Sequence, residues 1–266
     1  FTGATEDCIY LFPSGMAAIH AAYMATRKLN PDMPTAQFAF PYGDTLKLQN
    51  KFNPAGALFY ARGDENDQQQ LEKDLETTSI SGLFCEFPTN PLLTSVDLST
   101  LRELANRHCF PIILDETLGA CINQDTLAVA DVTVISLTKF FSGTSDVMAG
   151  ALIIHPEAPF ATHFRKQIND IHEPEAFYPA DLIQLESDSR DCRERVEQIN
   201  RTALEVCEYL SRNPAVESIC YPAFIDREMY DRFRTPDGGY GGLFSIVLKN
   251  AAEVTEAFYD ALEITK

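Results

Sequence analysis

The sequence predicts an α/β protein. A large domain with a mostly parallel sheet is expected over residues 1–185, and a long linking helix with part of a smaller α+β domain over residues 186–266. Three observations predict this. Between about residues 8 and 155, short apolar runs alternate with helix-patterned stretches, the mark of strand–helix–strand units. Several of those runs are continuously apolar, as strands covered on both faces are. After residue 190 the pattern changes to one long amphipathic helix, then short strands and another helix. The 266 residues leave room for one large domain or two modest ones. A chain of that length can bury about three quarters of its unfolded surface, so it needs no disulfides or metals to fold.

The elements follow in order. Residues 8–12 read as a strand, and residues 16–29 as a helix with Ser14 at its cap. SISGLFCEF (79–87) is a strand candidate. Residues 97–108 put Leu98, Leu101, Leu104 and Ala105 on one helical face. PIILD (111–115), VTVISLT (132–138) and GALIIH (150–155) are apolar strands. Residues 190–212 space Val196, Ile199, Ala203, Val206 and Leu210 along one helical side, which Asn213-Pro214 ends. A strand near 216–220, the glycine-rich PDGGYGG (236–242), a strand GLFSIVL (242–248) and a helix over 251–262 complete the reading. Phe1 stands where an initiator Met would, and a further strand is expected after Lys266, so the chain is expected to be a piece of a longer protein that lacks both ends.

Composition narrows the function. Lys and Arg total 21 against 39 Asp and Glu, a net charge of −18, which repels phosphate backbones and anionic lipids, so neither nucleic acid nor membrane is expected as a partner. No run of eighteen apolar residues occurs, so no membrane span is expected. Seven cysteines, an odd and scattered set without a CxxC pair, point to reduced thiols and a cytoplasmic setting. The five histidines lack HxxxH or HExxH spacing, so no metal is expected, and His20 is expected to be packed in the first helix. Neither GxGxxG nor GxxxxGK[ST] follows a strand, which argues against nucleotide chemistry.

Four features fall where an open α/β sheet holds its ligand, outside the carboxyl ends of the strands. The turn Ser14-Gly15-Met16 opens a helix, where free amides and the dipole suit a phosphate; helix capping alone is the alternative. Asp115 ends the run PIIL, either as a turn former or as an ionised acid that keeps a heterocyclic nitrogen protonated. In Ser136-Leu137-Thr138-Lys139, strand alternation puts both hydroxyls on one side, fit to grip phosphate oxygens. Lys139, set among Leu137, Phe140 and Phe141, is expected to be poorly solvated, which lowers an ammonium pKa and frees a nucleophilic amine; the alternative is a lysine that snorkels to water. The turn Glu86-Phe87-Pro88-Thr89-Asn90-Pro91 presents Asn90, and Tyr42 in PYGDT is a candidate aromatic lid.

In this order, and through LDET (114–117), SLTKFFSG (136–143) and DVMAG (146–150), the chain resembles the Cys/Met-metabolism family of pyridoxal-phosphate enzymes, nearest its fungal-type cystathionine γ-synthase branch. The resemblance implies the fold of type I pyridoxal-phosphate transferases, with pyridoxal 5'-phosphate as cofactor. It implies that Lys139 bonds the cofactor aldehyde and that Asp115 faces the ring nitrogen. Ser136 and Thr138, with the amides of Gly15 and Met16, would cradle the phosphate, Tyr42 would stack on the ring, and Asn90 would lie near its hydroxyl. Lys139 and Tyr42 are the catalytic candidates. The cofactor is the electron sink, and the protein places and tunes it.

The implied reaction is γ-replacement on an activated homoserine ester by cysteine, giving cystathionine. The alternatives are a γ-lyase or an O-acetylhomoserine sulfhydrylase, or a chain that folds and self-associates without turnover. The expected partners are small amino-acid substrates and further copies of the chain, as a dimer or tetramer whose subunits share active sites. Three departures stand out. Glu116 follows Asp115 where the family has Asn, which is expected to alter the pocket wall; no Tyr-x-Arg element precedes the first helix; and the family's substrate-binding arginine would lie beyond Lys266.

Overall fold

A computed structural model describes residues 4–264. Its main sheet has seven strands: β1 (Ile9–Phe12), β2 (Thr35–Phe38), β3 (Ala57–Tyr60), β4 (Leu83–Glu86), β5 (Ile112–Asp115), β6 (Val132–Ser136) and β7 (Gly150–Ile154). They lie in the order β1-β7-β6-β5-β4-β2-β3. Strands β3 through β6 run parallel, while β7 is antiparallel to both β6 and β1.

The apolar runs of β4 and β5 are continuous because helices cover both faces. Leu83, Cys85, Ile112 and Leu114 face one way and share a core with Leu71 and Leu75 of α3 (Glu65–Leu75) and with Leu98, Leu101 and Leu104 of α4 (Leu98–His108). Their neighbours Phe84 and Ile113 face the other way, against α1 (Gly15–Arg27) and α5 (Ala161–Asn169). The alanines of α1 let it lie close on the sheet, and Ser14 caps it by accepting from the Ala17 N–H at 3.1 Å.

Sequence patterning and structure differ in four places, each for a physical reason. Strand β6 stops at Ser136, since the N–H groups of Leu137 and Thr138 both turn to the Ala149 carbonyl, which breaks the ladder, and a tight turn follows. Thr138 therefore sits in the turn, and strand alternation is not what brings it to the side of Ser136. Residues 30–78 form β2, α2 (Gly43–Phe52), β3 and α3 without a clear pattern, because α2 and α3 bury few residues and are otherwise polar. His20 is exposed on α1, not packed. In α7 (Cys192–Ser211) the buried stripe is Cys192, Val196, Asn200, Ala203 and Cys207, while Val206 is 37% exposed. A buried Asn inside that stripe breaks the apolar periodicity that a sequence reading follows.

Helix α6 (Pro179–Ser189) packs Leu185 beneath β6 and β7. Beyond α7, β8 (Val216–Cys220) and β9 (Ser245–Leu248) form a separate antiparallel pair, with α8 (Arg227–Asp231) between them and α9 (Ala251–Ala261) after them. Among the described residues no helix is long and apolar enough to cross a membrane.

Candidate active site

The parallel strands β4, β5 and β6 end together, at Glu86, Asp115 and Ser136. A cleft of about 780 Å³ opens over those ends. Its wall contains all eight candidate cofactor-binding residues: Gly15 and Met16 at the start of α1, Tyr42 before α2, Asn90, Asp115, and Ser136, Thr138 and Lys139.

Close backbone approach builds the α1 side of the cleft. A Cβ placed on Gly15 would stand 2.8 Å from the Ser136 Cβ, and one on Gly150 would stand 2.3 Å from the Ser14 carbonyl oxygen. Only glycine at both positions lets the helix start press against the end of β6. Helical bonding begins with Ala17 and Ala18, which donate to the Ser14 carbonyl, so the amides of Gly15 and Met16 fall among the unpaired donors of a helix start. Ser136 is half-buried beside them. The Thr138 hydroxyl accepts from the Ala149 N–H at 3.0 Å, so it fastens the turn to β7 as well as lining the cleft.

Asp115 is half-buried at the cleft floor, and its Oδ1 accepts from the Thr117 N–H at 2.9 Å. Burial raises its carboxyl above the usual carboxylate range, and the bonds from Thr117 act the other way. Glu86 is its register partner on β4 and is only 8% exposed. Burial first, then the charge of Asp115, pushes Glu86 up to about 8, while the N–H groups of Tyr42 and Asn90 draw it back. The Tyr42 N–H bonds Glu86 Oε1. One carboxyl thus braces both the aromatic lid and the Asn90 turn. Sequence reasoning assigned Glu86 no role, although it ends an apolar run just as Asp115 does.

Two expectations need correction. Lys139 is exposed toward the cleft rather than held in an apolar nest; Leu137 is buried, but Phe140 and Phe141 are only partly so. Glu116 does not form the cleft wall. It is 2% exposed behind the site, where its Oε2 accepts from the Thr126 hydroxyl at 2.7 Å.

The residues present fit pyridoxal phosphate. The cleft joins an amine, a desolvated carboxyl on its floor, an exposed aromatic ring and a helix start closed against a serine. Lys139 would meet the aldehyde, Asp115 the ring nitrogen and the α1 start the phosphate. Among the described residues no group of three or more His, Cys, Asp and Glu is placed to hold a metal ion, and all seven cysteines are free.

Known proteins match nearly the whole chain. A family model described as Cys/Met metabolism PLP-dependent enzyme matches residues 3–266. The cystathionine gamma-synthase of Neurospora crassa is 42% identical over 98% of this chain and 43% of its own length. The alanine racemase ungC of Aspergillus violaceofuscus is 32% identical over 98% of this chain and 48% of its own. The chain therefore spans about half the length of the curated relatives it matches. Among solved structures, a cystathionine gamma synthase from Xanthomonas oryzae pv. oryzae in complex with cystathionine superposes with a TM-score of 0.80, over 97% of this chain and 65% of that one. At 22% identity that likeness shows a shared fold.

Proposed function

Since the chain belongs to the Cys/Met metabolism PLP-dependent enzyme family, we propose that the protein carrying it catalyses γ-replacement on an activated homoserine ester by cysteine, with cystathionine as product. The single observation that carries this reading is the convergence of Lys139, Asp115 and the α1 start on one cleft at the strand ends. The Neurospora crassa relative supports the choice of reaction within the family.

When bound, pyridoxal phosphate supplies an aldehyde that joins amines and a ring that accepts electrons from Cα. Lys139 would hold the aldehyde through Nζ, and its amine, once free, would serve as the base at the substrate Cα and carry protons toward the leaving group. Asp115 would face the ring nitrogen, and a cationic N–H there would favour the ionised form of its raised carboxyl. Glu86, desolvated and beside it, would then be the carboxyl that keeps a proton near neutral pH. Tyr42 would cover the ring, and Gly15, Met16, Ser136 and Thr138 would seat the phosphate.

Elimination is the second reading, as in a γ-lyase. The exposure of Lys139 favours it, because water that reaches the cleft competes with cysteine. Incubation with an O-acyl-homoserine and cysteine decides between them. Cystathionine is the expected product; a keto acid without cystathionine would establish the lyase. The partners follow from the same reading: small amino acids, and a second copy of the chain. We also draw the domain boundary at the α6–α7 junction, residues 190–191, because Leu185 of α6 still packs on the main sheet.

A further inference from the structure

Arg195 of α7 lies outside the cleft wall yet grips the turn that carries Lys139. Its Nη1 donates to the Phe140 carbonyl at 2.8 Å and its Nη2 to the Phe141 carbonyl at 3.2 Å. Nη2 also reaches the Asp188 carbonyl at 2.8 Å, at the end of α6, and Asp191 Oδ1 at 3.1 Å. Residues 140 and 141 are the two that directly follow Lys139. The same turn closes on itself through the Lys139 N–H to Ser136, at 3.3 Å, and the Gly143 N–H to the Lys139 carbonyl, at 2.8 Å.

Gly143 shows how tightly this contact is built. Its φ is +80°, and a Cβ there would come within 2.2 Å of Arg195 Nη1. The guanidinium thus fills the space that a side chain at 143 would need. The side chain of Arg195 is 20% exposed, whereas Asp191 is 72% exposed. An ion pair with so exposed a partner contributes little. The backbone carbonyls therefore set where the guanidinium sits, and they suit its planar fork; the single point charge of a lysine cannot reach both arms at once.

We propose that Arg195 is a positioning residue. By fixing the two carbonyls after Lys139 it sets the exit of the turn, and so aims Nζ into the cleft. The proposal rests on the reading of Lys139 as the residue that bonds the cofactor aldehyde. Supports of this kind decide how well a reactive group is held, and a misplacement of about 1 Å costs on the order of a hundredfold in rate.

The test uses the full polypeptide that carries this chain, titrated with pyridoxal phosphate. Arg195→Ala removes the fork, and Arg195→Lys keeps the charge but not both arms. Arg190→Ala, at an exposed pair with Glu186, is the reference. Three quantities are read: cofactor affinity, the pH midpoint of the visible band formed when Lys139 joins the aldehyde, and the melting temperature without cofactor. The expected result is affinity lower by about tenfold or more in both Arg195 variants, with a shifted midpoint, and neither change in Arg190→Ala. Arg195→Lys should show this while melting close to the unmodified protein, so it decides the matter if Arg195→Ala does not fold. Unmodified affinity and midpoint in Arg195→Lys would overturn the proposal. A band that is absent from the unmodified protein, or that survives Lys139→Ala, would instead overturn the Lys139 reading on which the proposal stands.

Discussion

Glu116 carries a carboxyl that burial pushes up to about 8, above the ~4.3 of a free glutamate. The folded protein therefore holds that proton more tightly than the unfolded chain does. The sign follows: Glu116 costs nothing below about pH 4, and its cost grows as pH rises from there through 8. Among the described residues its Oε1 has no hydrogen-bond partner, so the ionised form is poorly served. Glu116→Gln should flatten the fall in melting temperature between pH 5 and 8 and stabilise the protein by as much as about 4 kcal/mol at pH 8. An unchanged pH slope would show that the buried carboxyl ionises as it would in water. At Lys139 the expected outcome is chemical. Lys139→Ala should lose the cofactor's visible band and about a thousandfold or more in turnover, with its melting temperature near that of the unmodified protein; retained turnover would remove Lys139 from the reaction. Asp115 and Lys139 were legible in the sequence as types at positions, because each follows directly on an apolar run. Their environments were not legible. Whether a lysine beside two phenylalanines is desolvated depends on where those rings go, and Phe140 and Phe141 are spent partly on packing against α7.

At the scale of elements, the site depends on how near α1 comes to the sheet. Gly150 opens β7 directly under the Ser14 carbonyl, and that contact is backbone against backbone, which no rotamer change can relieve. Gly150→Ala should cost about 1–3 kcal/mol, as overpacking does. It should also weaken cofactor binding, since the helix start moves away from Ser136. Thermal melts and a cofactor titration measure the two effects, and a variant that melts normally and binds normally would show that α1 has slack at this end. The strands that build the cleft were readable because their apolar runs are continuous. Strands β2 and β3 and helices α2 and α3 were not, because α3 buries only Leu71 and Leu75, and β2 buries a glutamine, Gln37, among its four residues. The β6 end was overread by two residues: Leu137 is buried like a strand residue but belongs to the turn. Burial was inferred correctly there, and the element was not.

Across the whole molecule, α7 touches the surroundings of both sheets, as do Tyr230 of α8, buried in the main-sheet core, and Tyr240, packed on both. Near the start of α7, Cys192 and Val196 pack with Ala120 and Ile122; near its end, Ala203 and Cys207 pack with Ile219 and Tyr221. Between those clusters sits Asn200, which exchanges amide bonds with Asn123 at 2.7 and 3.2 Å and accepts the Gly241 N–H at 3.0 Å. Asn123 in turn accepts the Gly239 N–H at 2.9 Å. A two-stranded sheet is marginal by itself, and α9 has no buried residue to anchor it. The β8–β9 unit therefore depends for its place on α7, on this amide pair, and on the ties that Tyr230 and Ser245 make to Phe87 and the Pro91 carbonyl. Asn200→Ala would strand the Asn123 amide and the Gly241 N–H, at about 1–3 kcal/mol for each orphaned group. The loss should be regional. Amide hydrogen exchange should quicken in β8, β9 and residues 236–242 well before β4 and β5, whose bonds lie in the middle of the seven-stranded sheet. Equal acceleration in β5 would mean instead that the main sheet and the smaller one open as a single cooperative unit, and that α7 transmits every loss from one to the other.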